Sequence, residues 1–323
     1  MPTDNSGAIP ALDVAIAAVI ADHEHGASYL ARQAALALAA ASAPGAAAQL
    51  NADDRLALLH AAARRLATAR PSMAALANTA ALIWLAAAQA GERGDPEDDQ
   101  LAALHEEAAR LGALWGAAAH AIGQAAIPLL KGTLYTISRS GTVEAVLTRL
   151  AHERAAADLP RKIIVAHSLP GGEGVAAAEA LAAAGWHATL VADAACGLFV
   201  PEVSAVVCGA DSVRADGSVV NKVGTLPLAL AARAAVVPVY VLCETLKIAA
   251  PDFPLALEEL APLDLAQSAP LSPSIATRNP AFDRTPGEYI TAVVTERGIL
   301  TPALLAAEAQ RAAGALAALD ASD

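Results

Sequence analysis

Residues 209–225, GADSVRADGSVVNKVGT, concentrate charged and polar side chains in a chain that is 56% hydrophobic. Asp211 directly follows the apolar run VVCGA. Burial at the end of a strand would raise the pKa of its carboxyl and suit it to proton transfer. Asn221 and Lys222 precede a predicted helix beginning near Val223, whose free N–H groups would bind an oxyanion or a phosphate beside the lysine charge. A lone aspartate at a strand end more often caps the next turn, but the shared polar stretch favours chemistry here.

Polar or ionisable side chains end each of five predicted strands. In chain order these residues are Ser138, His167 with Ser168, Asp193, Asp211 and Glu244. Ligands of open parallel sheets bind outside the carboxyl ends of the strands, near the point where the strand order reverses. The pattern therefore predicts a polar cleft along one edge of a sheet.

Other motifs are weaker. GGEG at 171–174 opens a predicted helix, where it fits either a phosphate cradle or an ordinary loop. No GxGxxG follows the first predicted strand, so no dinucleotide site is expected. Ser138 and His167 with an aspartate would resemble a hydrolase triad, but the chain has no GxSxG elbow. No set of side chains in the sequence has the spacing of a metal site, and we expect neither a metal nor a cofactor.

Two kinds of element pattern divide the chain. Residues 6–129 carry apolar side chains at helical spacing only, and the run Ala80–Ala90 is typical of a buried core helix. After Gly132, short β-branched runs alternate with alanine-rich helical runs, which predicts an α/β fold with a doubly wound parallel sheet. We expect a helical domain at 1–130 and a sheet domain at 131–323. The proline-rich residues 245–288 are predicted to run over the surface.

Charge and cysteine usage exclude several functional classes. The net charge is −12 without a dense basic cluster, which disfavours a nucleic-acid partner. The first residues, MPTDNSGAIP, do not resemble a secretory signal, and we expect no membrane partner. Cys196, Cys208 and Cys243 have neither framework spacing nor a CxxC, which indicates buried thiols in a reducing cytoplasm.

The opening stretch, GAD…DGSVVNKVGTLPLALAA, resembles the signature of the translation initiation factor 2B alpha/beta/delta family. That family includes methylthioribose-1-phosphate isomerase and ribose-1,5-bisphosphate isomerase. Further segments match in family order: HGASYLARQA (25–34), ARPSMAALAN (69–78), LYTISRSGTVEAVL (134–147), LVADAACG (190–197) and RNPAFDRTPGEYITAVVTERG (278–298). The resemblance covers nearly the whole chain and implies a helical N-terminal domain with a Rossmann-like C-terminal domain, usually paired as dimers.

The resemblance also implies roles for individual residues. In the isomerases of the family, a cysteine after the first strand and an aspartate after a GA dipeptide carry out proton transfer. The corresponding residues here are Ser138 and Asp211. The family's Asn-Lys pair and the arginine of its RP segment hold the substrate, which corresponds to Asn221, Lys222 and Arg70.

The chain departs from the family pattern around these positions. His25 stands where relatives often have an arginine, just before Gly26, and both residues are predicted to contact substrate. His167 and Leu169 replace an acid and an arginine in HSLPGGEG. Because a serine hydroxyl exchanges a proton near neutrality only beside a strong base, His167 is a candidate base for Ser138.

Three functions remain open on the sequence. The first is a sugar-phosphate or nucleotide pocket at the domain junction, with aldose–ketose isomerisation of a phosphorylated pentose. The second is a non-catalytic initiation-factor-like regulatory or assembly subunit, which Ser138 in place of cysteine favours. The third is a purely structural ion network. The expected partners are a phosphorylated small molecule and a second copy of the chain, in the cytoplasm.

Overall fold

The helices of the first part of the chain form where apolar residues recur at helical spacing. The computed structural model describes residues 8–22, 25–47, 49–254, 256–260, 272 and 274–321. Its first elements are α1 (Ala8–Ala21), α2 (Ala27–Ser42), α3 (Ala52–Thr68), α4 (Ala74–Glu92) and α5 (Glu97–Ala126). The side chain of Asn51 caps α3 by accepting a hydrogen bond from the Asp54 N–H at 2.7 Å.

Strands and helices alternate from Leu134 onward, as the sequence pattern predicts. The elements, in chain order, are β1 (Leu134–Thr136), α6 (Gly141–Ala156), β2 (Lys162–Ala166), α7 (Glu173–Ala183), β3 (His187–Val191), α8 (Cys196–Phe199), β4 (Ala205–Cys208), β5 (Ser212–Val213), β6 (Val219–Lys222), α9 (Thr225–Ala234), β7 (Val239–Leu242), β8 (Phe282–Thr285), β9 (Ala292–Thr295), β10 (Gly298–Ile299) and α10 (Pro302–Asp320).

The main sheet is parallel except at one edge. Its order is β10-β9-β7-β4-β1-β2-β3, and among the described strands only the β10–β9 pair in this sheet is antiparallel. From β1 the chain adds β2 and β3 on one side, and then β4, β7 and β9 on the other. The strand order therefore reverses between β1 and β4, the position where doubly wound sheets bind ligands. The α/β class with a helical N-terminal part and a mainly parallel sheet is confirmed.

A second, antiparallel sheet was not predicted. It consists of β5, β6 and β8, and it places Asn221 and Lys222 on β6 rather than in a loop. The predicted surface run at 245–288 is correspondingly wrong in part, because Phe253 and Phe282 are buried and β8 begins within it. Asp283 and Arg284 interrupt the apolar pattern of β8, so the local sequence does not indicate a strand. The strand forms because it pairs with β6, which lies far from it in the sequence.

Helix α4 forms the centre of the helical part. By length and composition it could cross a membrane, but 67% of its most apolar window is buried within the described structure, as in a core helix. The predicted core helix at Ala80–Ala90 is thus confirmed. Two polar contacts join α4 to the sheet part: Asn78 donates to the carbonyls of Leu246 and Ile248, and the Ala74 N–H donates to the Ser212 hydroxyl.

The hydrophobic core of the helical part also includes side chains from the second half of the chain. Val220, Phe282 and Leu319 pack with the side chains of α1 to α5. Separate apolar clusters lie on the two faces of the main sheet, so that Leu134 and Tyr135 of β1 point into different clusters. The division into domains at 1–130 and 131–323 stays a prediction.

Candidate functional site

A cavity of about 590 Å³ opens at the carboxyl edge of the main sheet. The loops that follow β1 and β4 form one wall, so the cavity lies where the strand order reverses. The first turn of α2, the first turn of α6 and the end of β6 form the others. A volume of this size suits a small ligand, since such pockets are typically about 300–1,000 Å³.

Seven of the eight residues predicted to act in a site line this cavity: His25, Gly26, Arg70, Ser138, Asp211, Asn221 and Lys222. The eighth, His167, is not among the lining residues, although the loop containing it borders the cavity at Gly171. His167 is half-buried, and its backbone N–H donates to the carbonyl of Val191 at 2.8 Å. The suggestion that His167 serves as a base for Ser138 stays a prediction.

Asp211 is the carboxylate at the centre of the site. It accepts a hydrogen bond from the backbone N–H of Ala27, in the first turn of α2. Burial raises the pKa of Asp211 above its ordinary value, and this effect outweighs the Ala27 hydrogen bond and the nearby cations Lys247, Lys222 and Arg70. A carboxyl whose pKa is raised in this way both donates and accepts protons more readily near neutrality.

Lys222 lies beside Asp211 and is paired with a carboxylate of its own. Its Nζ atom is 2.5 Å from Oε1 of Glu173, the first residue of α7. The lysine side chain is nearly buried, with 10% of its surface exposed, whereas 31% of the Glu173 side chain is exposed. The GGEG segment therefore contributes a carboxylate to the cavity, and not only backbone.

A second lysine, Lys247, was not predicted and also lines the cavity. It lies 3.6 Å from Glu244, and both side chains are almost completely buried. Glu244 in turn accepts hydrogen bonds from Ser28 of α2, at 3.0 Å, and from Thr142 of α6. This carboxylate thereby fixes the first turns of two helices, one from each part of the fold, against the end of β7.

Arg70 is held more tightly than its predicted substrate role requires. Its guanidinium donates to both oxygens of Glu258, at 3.0 and 2.7 Å, and to the carbonyl of Asp22 at 2.6 Å. Ser72 donates to the same Glu258 carboxylate. Glu258 belongs to the segment 256–260, so Arg70 fastens this segment over the cavity.

Ser138, the residue at the family's cysteine position, has an unusual backbone conformation with φ of +62°. Its N–H donates to the hydroxyl of Ser168 at 2.7 Å, and the N–H of Ser168 donates to Asp193 at 2.7 Å. Left-handed backbone disfavours a serine by about 1 kcal/mol or more, so these bonds hold the turn in place. Hydrogen bonds among the polar residues that follow β1, β2 and β3 thus hold Ser138 in position at the cavity.

The predicted anion site at the start of α9 is wrong. That helix begins at Thr225, and Oδ2 of Asp283 accepts hydrogen bonds from the N–H groups of Gly224, at 2.7 Å, and Leu226, at 3.0 Å. The helix terminus is therefore occupied by a carboxylate of the chain itself. Burial raises the pKa of Asp283 to about 6, even though these N–H groups favour its ionised form.

The helix starts that do face the cavity belong to α2 and α6. A methyl group added at Gly26 or Gly141 would meet no atom within 4 Å, so both backbones border open space. At Gly209, in contrast, such a methyl would lie 2.7 Å from the Ser140 hydroxyl. This distance is too short for a side chain, so the position after β4 requires glycine. The close approach lets the loop carrying Asp211 lie directly against α6.

No thiol replaces the family's cysteine in this cavity, as far as the described residues show. Cys208 and Cys243 are completely buried. Burial raises the pKa of both thiols, that of Cys208 to about 12. Thiols in such surroundings are inert. They fit the predicted role of small apolar side chains in the core, whereas Cys196 is only partly buried and the prediction is wrong for it.

Sequence reasoning missed five charged side chains of the cavity: Arg139, Glu144, Glu173, Lys247 and Glu258. Glu173 stands in the GGEG segment, which drew attention only for its glycines. Lys247 follows Glu244 at a spacing of three residues, and this acid–base pair beyond a strand end was a usable signal. Glu258 is 188 residues from Arg70, and no local pattern indicates their contact.

Comparison with known proteins identifies a family and several similar proteins. The Initiation factor 2 subunit family matches residues 23–302. The chain is 38% identical over 144 residues to the ribose 1,5-bisphosphate isomerase of Archaeoglobus fulgidus, covering 44% of this chain and 46% of that protein. It is 34% identical over 227 residues to the methylthioribose-1-phosphate isomerase of Chloroflexus aurantiacus, covering 66% and 65%. The chain thus spans about half to two thirds of the length of these relatives.

A solved structure agrees over a greater length. The Pyrococcus horikoshii translation initiation factor eIF-2B superposes with a TM-score of 0.73 at 26% identity, covering 90% of this chain and 97% of that one. The proteins similar to this chain in sequence include both sugar-phosphate isomerases and proteins named as initiation-factor subunits. From the matched length of 23–302, the chain belongs to the Initiation factor 2 subunit family.

Proposed function

We propose that the cavity binds a phosphorylated pentose and that the protein interconverts its aldose and ketose forms. The observation that carries this proposal is a carboxyl of raised pKa, Asp211, beside two ammonium groups in an open cavity at the strand-reversal point. Relatives named as isomerases of ribose 1,5-bisphosphate and methylthioribose 1-phosphate support the choice of substrate class.

Asp211 is the acid–base group of this proposal. An aldose–ketose interconversion moves hydrogen from C2 to C1. The C2 hydroxyl loses its proton as it becomes the carbonyl, and the former aldehyde oxygen, or the ring oxygen of a 1-phosphate, gains one. A carboxyl with raised pKa is suited to both transfers. The Ala27 N–H orients it, and the nearby ammonium groups of Lys222 and Lys247 stabilise negative charge that develops on sugar oxygens.

Ser138 has a binding role in this proposal rather than that of a proton carrier. The hydroxyl of serine remains protonated at neutral pH, so it donates a hydrogen bond where a thiol would exchange a proton. Gly26, His25 and Asn221 complete the proposed contacts with the sugar and its phosphate. Gly26 and Gly141 expose backbone at two helix starts, which favour anions.

The test is a turnover assay by ¹³C NMR with ribose 1-phosphate, ribose 5-phosphate, deoxyribose 1-phosphate and ribose 1,5-bisphosphate. We expect ketose product from at least one of them with the wild-type protein. We expect the rate with the same sugar to fall about 10²- to 10⁴-fold in Asp211→Asn. Absence of turnover across the whole set would contradict the enzymatic proposal.

A second candidate is a non-catalytic subunit that binds the same ligand and assembles with partner proteins. Serine at position 138, where the family's isomerases have a cysteine, favours it. Saturable binding of a phosphopentose without turnover, together with recovery of a translation component in a pull-down, would support this candidate. Self-association alone in the pull-down would argue against it.

We further propose a homodimer located in the cytoplasm. Exposed apolar side chains at Leu198, Leu230 and Val236 lie on or next to α8 and α9, which pack on each other and supply a surface for self-association. Three free cysteines fit a reducing compartment. Light scattering after size-exclusion chromatography should give twice the mass of one chain, and the mass of one chain would contradict the dimer.

A further inference from the structure

The lysine and arginine side chains that line the cavity are all paired with carboxylates in the described part of the chain. The pairs are Arg70–Glu258, Arg139–Glu144, Lys222–Glu173 and Lys247–Glu244. Asp211 adds a fifth carboxyl. A ligand that carries two phosphate groups would therefore meet four cations and five carboxyl groups, and each phosphate would compete with a carboxylate for its cation.

Three of the four pairs are poorly placed to select between ligands, because they are tightly fastened, buried or screened by water. Arg70–Glu258 is bidentate and fastened by Ser72, and Lys247–Glu244 is buried. Arg139 and Glu144 lie at the rim with 52% and 30% of their side chains exposed, so water screens their charges. The Lys222–Glu173 pair differs because a nearly buried ammonium faces a carboxylate that the ligand can reach.

Glu173 has one oxygen that lacks a hydrogen-bond partner. Oε1 lies beside Lys222, whereas Oε2 is shielded from solvent and has no hydrogen-bond donor within the described structure. The ligand therefore meets the remainder of the Glu173 side chain, 31% of which is exposed where it lines the cavity. A hydroxyl of the ligand can donate a hydrogen bond to this carboxylate, whereas a phosphate would bring further negative charge against it.

Gly171 leaves room for the carboxylate at this place because it has no side chain. A methyl group built on Gly171 would lie 2.5 Å from Oε1 and 2.9 Å from Oε2 of Glu173. Gly171 does not have a positive φ, so its backbone conformation accepts an alanine. The substitution Gly171→Ala would therefore push the Glu173 carboxylate away from its position beside Lys222 without removing its charge.

We propose that Glu173 determines the specificity of the cavity. It reserves the Lys222 end for a neutral hydrogen-bond donor, a hydroxyl, and thereby selects a sugar with one phosphate over a sugar with two. This inference rests on the proposed function, since it concerns which phosphorylated pentose the same site takes.

The experiment measures the Kd of ribose 5-phosphate and of ribose 1,5-bisphosphate by isothermal titration calorimetry. The proteins compared are the wild type, Glu173→Gln, Gly171→Ala and Glu179→Gln, all checked for equal thermal unfolding. Glu179 is the matched control because it is an exposed glutamate of the same helix and does not line the cavity.

We expect Glu173→Gln to bind the bisphosphate about tenfold more tightly, or about 1.4 kcal/mol, without a gain for the monophosphate. Gly171→Ala should shift the ratio of the two Kd values in the same direction, and Glu179→Gln should leave it unchanged. An unchanged ratio in Glu173→Gln, or an equal gain for both sugars, would overturn the role of Glu173 and leave the proposed function standing. No binding of either sugar to any of the proteins would overturn both.

Discussion

The Asp211 carboxylate accepts a hydrogen bond from the backbone N–H of Ala27, which joins the strand-reversal point of the sheet to the first turn of α2. A carboxylate at a helix start gains from the helix dipole, which would by itself lower its pKa. The pKa of Asp211 is nevertheless raised, because burial is the larger effect. The buried carboxyl therefore holds its proton more tightly than an exposed aspartate does.

Replacing Asp211 by asparagine should separate chemistry from binding. We expect turnover of the accepted phosphopentose to fall about 10²- to 10⁴-fold, the usual contribution of a positioned acid–base group. The Kd should change by no more than a few fold, because the amide oxygen still accepts the Ala27 N–H. Steady-state kinetics and calorimetry on the same preparation measure the two effects. Parallel loss of binding would mean that Asp211 serves only to hold the site together.

Replacing Ser138 by cysteine should raise the rate. The substitution changes one atom, on a turn that Ser168 and Asp193 already hold, and it supplies a group that exchanges protons near neutral pH. We expect at least about a tenfold gain in kcat with little change in KM. The control is Cys196→Ser, which alters a thiol that does not line the cavity. A rate equal to that of the wild type would show that position 138 does not limit turnover.

Replacing Arg70 by lysine should loosen the segment 256–260. The positive charge remains, but the bidentate bond to Glu258 and the bond to the Asp22 carbonyl cannot both be kept. We expect the free energy of unfolding in urea to fall by about 1–3 kcal/mol. In a double-mutant cycle with Glu258→Gln, the coupling energy should exceed about 1 kcal/mol. Additive effects of the two substitutions would mean that the pair does not secure the segment.

Asp283 should make the fold less stable as the pH rises through the acid range. Its pKa is raised from the ordinary 3.8 to about 6, so the folded chain binds the proton more tightly than the unfolded chain. Its contribution to stability is therefore complete below about pH 4 and is lost between about pH 4 and pH 6.

Urea unfolding at pH 4 and pH 7 tests this sign. We compare the free energy of unfolding at the two pH values in each protein. Going from pH 4 to pH 7, the wild type should lose on the order of 2 kcal/mol relative to Asp283→Asn, because only the wild type has the carboxyl that titrates. Asparagine keeps an oxygen that can accept from the Gly224 N–H, so the helix cap survives. Identical pH dependence in the two proteins would contradict the raised pKa of Asp283.

The main sheet and most of the helices could be predicted because their signals are local. β1, β2, β3, β4 and β7 are short apolar runs that end on polar residues, and the intervening helices show helical periodicity. The second sheet could not be predicted, because β5 has two residues and β8 contains two charged ones. Its register depends on pairs such as Asn221 with Asp283, far apart in the chain.

The candidate site could be predicted only where its residues belong to local motifs. Residues inside family motifs, such as Asp211 and Lys222, were found and lie in one cavity. Their charge partners were not found, since Glu173 and Glu258 reach the site only through tertiary packing. Motifs thus indicate which cations a cavity has, and only the fold shows that each already has a carboxylate partner.

The central claim is that a phosphopentose binds beside Lys222 and Asp211. A thermal-shift titration of ribose 5-phosphate against the wild type and Lys222→Met tests it most directly. Ligand at about 100 times its Kd should stabilise the wild type by about 2.7 kcal/mol, seen as a rise in Tm that the variant lacks. Equal rises in both proteins, or no rise with any phosphopentose, would contradict the account.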